Sequence, residues 1–198
     1  LMGYPMAINI AKKFDLKSFN RTFEKMKGLD EHKIILCKSI NELCADTNVI
    51  ICMLPGDQEV LEIVNQLKEN IETGAIVVDM SSTKVSTANQ CYKILKEVNA
   101  SFIDSPVSGG QEGAKSGTLA IMAGGDERVY LNVKEVLETM GNSTLVGPNG
   151  SGQVAKLCNQ IIVGVTIGAV AEAVILCEKN SADPKKFIKA VKGGFADG

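Results

Sequence analysis

Short runs of β-branched and apolar residues alternate with longer amphipathic stretches along the chain as far as Gly147. The short runs predict strands, and the longer stretches, with apolar side chains every three or four positions, predict helices. Strands that alternate with helices form a largely parallel sheet with helices on both faces. We therefore predict an α/β fold with a doubly wound sheet. The strand candidates are 16–20, 33–37, 48–54, 75–81, 101–107, 118–123 and 143–147.

The alternation then gives way to one long helical pattern. This pattern begins at Ser151, a typical N-cap residue, and continues to about Lys179, and Asp183-Pro184 starts a further helix. We predict an α/β domain over residues 1–149, followed over residues 150–198 by an interdomain helix and the start of an all-helical domain. The helical part is too short for a core of its own, so we expect the second domain to be incomplete.

The apolar character of residues 157–177 raises the possibility of a membrane span. Asn159, Gln160 and Glu172 interrupt the stretch, and no positively charged flank sets an orientation. The Gly-x-x-x-Gly spacing within it is typical of helices that pack closely together. We therefore expect a buried helix rather than a membrane segment.

Composition narrows the possible partners and the compartment. A formal net charge of −2 gives no basic field for nucleic acid. The six cysteines form no CxxC pair and no metal-like cluster, and four lie inside apolar runs, which indicates a reducing compartment. We predict the cytoplasm, with the mitochondrial matrix or another organelle as the alternative. His32, the one histidine, stands in a charged turn, so any catalysis proceeds without a histidine base.

The beginning of the chain has the character of a phosphate-binding turn. Met2 and Gly3 lead into a helix, as the last glycine of a Rossmann-type fingerprint does, and the first strand of such a domain would lie upstream. In such a domain the residue that contacts the adenosine ribose follows about 20 positions after the glycine-rich turn. Asn20, Arg21 and Thr22 stand there, without an acid, and an arginine suits a 2′-phosphate. NADP is therefore favoured over NAD, and an ordinary turn arginine is the alternative.

Two further strand ends are candidates for cofactor binding, because ligands bind at the carboxyl ends of strands in such sheets. Met53, Leu54 and Pro55 form a loop that suits the wall of a ring-binding site, and Ser82 and Thr83 offer hydroxyl groups. Simple turn chemistry explains either loop equally well.

The segment that ends in Ser108, Gly109 and Gly110 predicts a substrate site. A strand runs there into a turn whose backbone can approach a ligand closely. Successive amides and a hydroxyl group form a good carboxylate cradle. The alternative is a structural turn, although two glycines exceed what a turn requires.

A single cation, Lys156, lies near the start of the long apolar helix, with Asn159 and Gln160 at i+3 and i+4 on the same face. A partly desolvated lysine can titrate near neutral pH and donate a proton. The alternative is a lysine in an exposed first turn whose amide neighbours bond to another element.

Five segments together carry a resemblance to a known family. In chain order they are Leu-Met-Gly-Tyr-Pro-Met-Ala, Asn-Arg-Thr, Met-Leu-Pro, Asp-Ser-Pro-Val-Ser-Gly-Gly and Gly-Gln-Val-Ala-Lys-Leu-Cys-Asn-Gln. They resemble the β-hydroxyacid dehydrogenases, which include 3-hydroxyisobutyrate dehydrogenase, tartronate semialdehyde reductase and the glyoxylate/succinic semialdehyde reductases. The resemblance covers the whole chain and implies hydride transfer between NADP(H) and a short β-hydroxyacid or its semialdehyde.

The resemblance also implies roles for individual residues. Lys156 matches the catalytic acid/base, and Ser108, Gly109 and Gly110 match the cradle for the substrate carboxylate. Gln160 matches a residue that is often an asparagine and that orients the substrate.

The sequence departs from the family pattern at three places. At one of them Asp-Ser-Pro replaces the more usual Asp-Ala-Pro, which we expect to matter little. The pair Asn159-Gln160 resembles the tartronate semialdehyde reductase branch, so we expect the amide function to be kept, while the substrate preference stays open. Gly198 stands where the family has a serine. In the family a further helical bundle follows, and we expect the complete protein to form a homo-oligomer, a dimer or a tetramer.

Two alternatives follow from the same residues. One is an NAD-using 3-hydroxyisobutyrate dehydrogenase, for which Arg21 is the residue to test. The other is a non-catalytic dinucleotide-binding scaffold, which the intact Lys156 and the lack of a basic tail disfavour.

Overall fold

The computed structural model describes residues 2–196, so Gly198 lies outside the described residues. The chain divides into two compact units between Lys156 and Leu157. The division falls inside one long helix, and each unit is described by itself.

The helices and strands follow one another in the predicted alternation. The helices are α1 (Gly3–Ala11), α2 (Ile40–Cys44), α3 (Asp57–Asn70), α4 (Val85–Lys96), α5 (Gly110–Ser116), α6 (Glu127–Glu138), α7 (Ser151–Lys179) and α8 (Pro184–Val191). The strands are β1 (Lys17–Phe19), β2 (Ile35–Cys37), β3 (Val49–Cys52), β4 (Ile76–Asp79), β5 (Ser101–Asp104), β6 (Val107–Ser108), β7 (Leu119–Gly124) and β8 (Gly141–Gly147). Each strand candidate overlaps an observed strand, although β7 ends one residue after its candidate and β8 begins two residues before its candidate. Strand β6 consists of the last residue of the fifth candidate and the residue after it.

The sheet is parallel at one edge and mixed at the other. Strands β3, β4 and β5 pair in parallel, as do β7 and β8, whereas β7 runs antiparallel to β5 and β6. The predicted parallel pairing holds for β3, β4 and β5, and the antiparallel pairings of β7 are a feature that the sequence did not indicate. The chain reverses there through α5, a helix of seven residues, instead of through a full crossover. Strands β1 and β2 form a separate parallel pair.

Both faces of the six-stranded sheet carry a hydrophobic core, which confirms the doubly wound architecture. Successive side chains of a strand point to opposite faces. Accordingly, Ile76 and Val78 of β4 pack with residues of α1, α5 and α6, while Val77 packs with residues of α2, α3 and α4. Because both faces are covered by helices, β4 is apolar at successive positions, as expected for a central parallel strand.

The helix α7 differs from the prediction in its environment. Among residues 2–196, α7 is the one helix whose length and composition would allow it to cross a membrane. Its mean hydropathy is 2.1 over an 18-residue window. None of that window is buried, and an added Cβ at Gly164 or Gly168 would have no atom of another element within 4 Å. The prediction of a buried helix packed through these glycines is therefore wrong for the described chain. The eight-residue helix α8 likewise has no buried residue.

Candidate active site

The first turn of α1 lies beside the loop that follows β3. A Cβ added at Gly3 would lie 3.7 Å from the Cβ of Met53, which is ordinary van der Waals contact. Met2 occupies the N-cap position without a side-chain hydrogen bond to the helix, and no acidic residue stands in the first turn. The amides at the start of α1 are therefore available to an anion.

The loops after β3 and β4 are joined by a buried serine. The backbone N–H of Leu54 donates to Oγ of Ser81 over 2.8 Å, and the N–H of Ser81 donates to Oδ1 of Asp79 over 3.0 Å. Burial raises the pKa of Asp79 to about 6, against the lowering effect of its hydrogen bonds to Ser81. Ser81 was missed by the sequence reasoning, although it directly precedes the two hydroxyl residues that were singled out.

A buried glutamine joins the loop after β4 to α7. The N–H of Thr83 donates to Oε1 of Gln153 over 3.1 Å, and Nε2 of Gln153 donates to the carbonyl oxygen of Ser81 over 2.9 Å. Gln153 is 1% exposed. The sequence reasoning gave it no role, although it stands three positions before Lys156 in the Gly-Gln-x-x-Lys segment.

The carboxylate of Asp104 holds the beginning of α7 against the sheet. It accepts from the N–H of Gly150 over 2.7 Å and from the N–H of Gln153 over 2.9 Å. Burial raises the pKa of Asp104 to about 6, and the backbone hydrogen bonds oppose that rise. A negative group at a helix N-terminus also interacts favourably with the helix dipole.

The ammonium group of Lys156 lies against the strand that leads to the predicted cradle. Nζ donates to the carbonyl oxygen of Val107 over 2.8 Å, and Val107 directly precedes Ser108. Desolvation lowers the pKa of Lys156. A lysine whose ammonium form is destabilised by burial is better suited to proton transfer than an exposed one.

The turn at the predicted cradle requires glycine. Gly109 has φ +129° and Gly110 has φ +60°, a region that other residues rarely adopt. A Cβ at Gly109 would also lie 3.3 Å from Cδ2 of Leu119. Ser108 is half-buried and pairs with Ala120 across β6 and β7, so its position is fixed by the sheet.

These contacts link most of the predicted cofactor and substrate residues in a continuous series. We call the first turn of α1, the loops 53–55, 81–83 and 108–110, and residues 150–156 the strand-end rim. Pro55 and Ser82 are exposed on it, whereas Thr83 is buried.

Five predicted residues lie outside this series. Asn20, Arg21 and Thr22 are exposed after β1, where Oδ1 of Asn20 accepts from the N–H of Thr22 over 2.9 Å. Asn159 and Gln160 belong to the second compact unit, where Nδ2 of Asn159 donates to Oε1 of Gln160 over 3.1 Å. Their roles in binding stay predictions.

Comparison with known proteins identifies the class and then the family. Residues 1–149 match the NAD binding domain of 6-phosphogluconate dehydrogenase, and residues 150–198 match the NAD-binding domain of NADP-dependent 3-hydroxyisobutyrate dehydrogenase. Fold and rim thus define the dinucleotide-binding part of a nicotinamide-dependent oxidoreductase. The chain is 36% identical over 203 residues to 2-hydroxy-3-oxopropionate reductase of Escherichia coli (strain K12), covering 99% of this chain and 68% of that protein. It belongs to the β-hydroxyacid dehydrogenases, a family of NAD(P)-dependent enzymes.

Two further relatives support this assignment. A probable mitochondrial 3-hydroxyisobutyrate dehydrogenase of Dictyostelium discoideum is 36% identical, with 94% of this chain and 60% of that protein covered. The structure of a Mycobacterium tuberculosis 3-hydroxyisobutyrate dehydrogenase with L-serine superposes with a TM-score of 0.93 at 29% identity, covering 98% of this chain and 68% of that one. The chain therefore spans 60–68% of the length of these proteins.

Proposed function

We propose that the complete protein transfers a hydride between NADP(H) and a short β-hydroxyacid or its semialdehyde. The observation that carries the proposal is the 2.8 Å hydrogen bond from Nζ of Lys156 to Val107, one residue before the Ser108–Gly110 turn. A proton donor is thereby held beside a turn that is suited to bind a carboxylate.

The strand-end rim fits a nicotinamide dinucleotide. The start of α1, with Met2 and Gly3, suits the pyrophosphate, and the loops 53–55 and 81–83 suit the rest of the cofactor. Oγ1 of Thr83 is buried and has no hydrogen-bond partner among the described residues, so a ligand at the rim would satisfy it. When bound, the reduced nicotinamide supplies the hydride for the carbonyl carbon.

The chain's own groups would handle the substrate and the proton. The hydroxyl of Ser108 and the amides of Gly109 and Gly110 bind the substrate carboxylate. Lys156 donates a proton from Nζ to the oxygen that becomes an alkoxide, and in the oxidative direction its neutral amine accepts that proton. The carbonyl of Val107 holds Nζ in place during both processes.

The identity of the acid depends on the residues beyond Lys156. We propose that Gln160, four positions later, orients the substrate together with Asn159. The Escherichia coli relative is named for 2-hydroxy-3-oxopropionate, which is tartronate semialdehyde, and the Dictyostelium relative of equal identity is named for 3-hydroxyisobutyrate. The resemblance of the Asn159-Gln160 pair to the tartronate semialdehyde reductase branch supports the first of these substrates. Glyoxylate and succinic semialdehyde are the remaining candidates.

The complete protein is expected to reduce one of these acids with NADPH. The test measures kcat/KM for tartronate semialdehyde, succinic semialdehyde and glyoxylate with NADPH and NADH, and for 3-hydroxyisobutyrate with NADP+ and NAD+. We expect turnover with at least one acid and the highest value for tartronate semialdehyde. Absence of turnover with every acid and both cofactors would overturn the proposed function.

The cofactor preference depends on Arg21 in this proposal. Replacing Arg21 with glutamine is expected to raise the Kd of NADPH about tenfold or more, because hydrogen bonds to charged groups contribute about 1.5–3 kcal/mol. The Kd of NADH should stay unchanged, and both constants are measured by fluorescence titration. Arg128→Gln, at an exposed position of α6, is the matched control. Equal weakening of both cofactors would contradict a 2′-phosphate contact.

We further propose that the protein acts as a homo-oligomer, as a dimer or tetramer, in a reducing compartment and without a membrane or nucleic acid as partner. The exposed apolar side chains of α7, among them Ile161, Ile162 and Val165, support a further protein layer over this helix.

The six free cysteines, of which Cys37, Cys44, Cys52 and Cys91 are buried, support reducing conditions. The cytoplasm and, given the mitochondrial Dictyostelium relative, the mitochondrial matrix are the candidate locations.

A further inference from the structure

The side chain of Gln153 is a buried bridge between two parts of the strand-end rim. Its Oε1 accepts from the N–H of Thr83 and its Nε2 donates to the carbonyl oxygen of Ser81. One amide group thus satisfies a donor and an acceptor of the same loop, across 70 and 72 positions of sequence. An unpaired buried donor or acceptor costs about 1–3 kcal/mol, so the loop 81–83 and the side chain of Gln153 are expected to move together.

The main chain of Gln153 is fixed as firmly as its side chain. Its N–H donates to Oδ2 of Asp104, a carboxylate with no exposed surface. Lys156 follows three positions later in the same helix, so its Cα is less than one turn away. Nζ of Lys156 in turn rests on the carbonyl of Val107. The loop 81–83 and the ammonium group are therefore connected through less than one turn of α7.

We propose that Gln153 is a positioning residue that couples the cofactor-binding loop 81–83 to Lys156. This inference rests on the proposed function, in which the loop contacts the nicotinamide cofactor and Lys156 contacts the substrate. Its consequence is that NADPH and the hydroxyacid influence each other's affinity, because each is bound by one end of the bridge. Such an influence is reciprocal by thermodynamic necessity.

The first test replaces Gln153 with methionine, which keeps the length of the side chain and removes both hydrogen bonds. In the complete protein, the Kd of NADPH is measured by fluorescence with and without the hydroxyacid that supports turnover. Reduced cofactor and hydroxyacid together form a dead-end complex, so no reaction disturbs the titration. The hydroxyacid should change the Kd at least about fivefold in the unaltered protein, within the range usual for coupled sites. In the variant the change should disappear, and kcat should fall at least about tenfold.

Asn149→Ala is the matched control for the methionine variant. Nδ2 of Asn149 donates to the carbonyl oxygen of Phe102 over 2.7 Å, so this side chain also ties the approach to α7 to the sheet. It has no hydrogen bond to the loop 81–83. Its loss should lower the stability of the protein and leave the coupling between NADPH and hydroxyacid intact, which separates positioning from a general loosening of the fold.

A second variant, Gln153→Glu, makes the bridge depend on pH. The ionised carboxylate repels the carbonyl oxygen of Ser81, whereas the protonated group again offers one donor and one acceptor. Burial raises the pKa of such a carboxyl group, so it should protonate above its usual range. The ratio of kcat in the variant to kcat in the unaltered protein should therefore rise as pH falls. Asp79, Asp104 and Lys156 titrate in both proteins, and the ratio removes their contribution.

The outcomes distinguish this proposal from the proposed function. The proposed role of Gln153 would be wrong if the hydroxyacid still changed the Kd of NADPH in Gln153→Met. It would also be wrong if the unaltered protein turned over while the hydroxyacid left the Kd of NADPH unchanged. Neither result would contradict the proposed function. A ratio for Gln153→Glu that stays flat with pH would likewise contradict the role of Gln153, and this measurement carries the test if the methionine variant is insoluble. An unaltered protein that binds neither NADPH nor NADH refutes the proposed function, and the bridge with it.

Discussion

Replacing Lys156 with alanine in the complete protein is expected to lower kcat for carbonyl reduction about 100- to 10,000-fold, the range that general acid catalysis contributes. The Kd of NADPH should stay within about twofold, because Nζ of Lys156 contacts the carbonyl of Val107 and not the cofactor loops. Steady-state kinetics gives kcat, and fluorescence titration gives the Kd.

A lysine further along the same helix gives the control for this variant. Lys179 is exposed near the end of α7, so Lys179→Ala should keep both constants. Near-normal turnover in Lys156→Ala would contradict the role of Lys156 as the proton donor. It would not contradict the proposed cofactor site.

The pH dependence of the unaltered protein gives a second measure of the same group. Desolvation lowers the pKa of Lys156, and only the ammonium form can donate a proton. Reduction should therefore slow as pH rises through this lowered pKa, while oxidation, which needs the neutral amine, should accelerate over the same interval. Lys156→Arg keeps the charge with a pKa above about 12 and should be inactive in both directions across that range.

Gly152→Ala is expected to destabilise the protein by about 3 kcal/mol or more, since overpacking costs typically 1–3 kcal/mol and occasionally more. The added Cβ would lie 2.4 Å from the carbonyl oxygens of both Asp104 and Met122, and backbone atoms cannot move aside as a flexible side chain can. Urea-induced unfolding measures the loss. The variant should also lose turnover, because the start of α7 cannot stay seated on the sheet.

Gly164→Ala, in the exposed part of the same helix, is the matched control. Its Cβ would have no atom of another element within 4 Å. Alanine is favoured over glycine in a helix by about 1 kcal/mol, so this variant should be neutral or slightly more stable. Equal stability of Gly152→Ala and Gly164→Ala would contradict the close packing described for Gly152.

Local patterns were sufficient to predict the α/β alternation and the glycine-dependent turn at the end of β6, whereas the roles of Ser108 and Lys156 stay predictions. The positive φ angles at Gly109 and Gly110, for example, agree with what a Ser-Gly-Gly turn at a strand end predicts. The roles of Ser81 and Gln153 were not predictable in this way. Their partners lie far away in sequence, 72 positions apart in the case of their mutual hydrogen bond, so no local period or spacing indicates the contact.

The sequence patterns determine neither the direction of β7 nor the exposure of α7, and the reason is of the same kind. The direction of β7 depends on how the chain turns through the short helix α5, and its apolar residues suit either direction equally well. The exposure of α7 depends on which other elements cover it, and its apolar composition gives no information about them. Propensity predicts that an element forms, whereas tertiary contacts decide its neighbours.

The anchoring of α7 also has a consequence for engineering. Asp104, Gly152 and Gln153 fix the register of the helix before Lys156 is reached. In the proposed function the proton donor is thus positioned by the sheet, because the side chain of Lys156 bonds to Val107 and not to a residue from Leu157 onward. If Asn159 and Gln160 orient the substrate as proposed, libraries confined to the segment from Leu157 would change the acid that is accepted while Lys156 keeps its position.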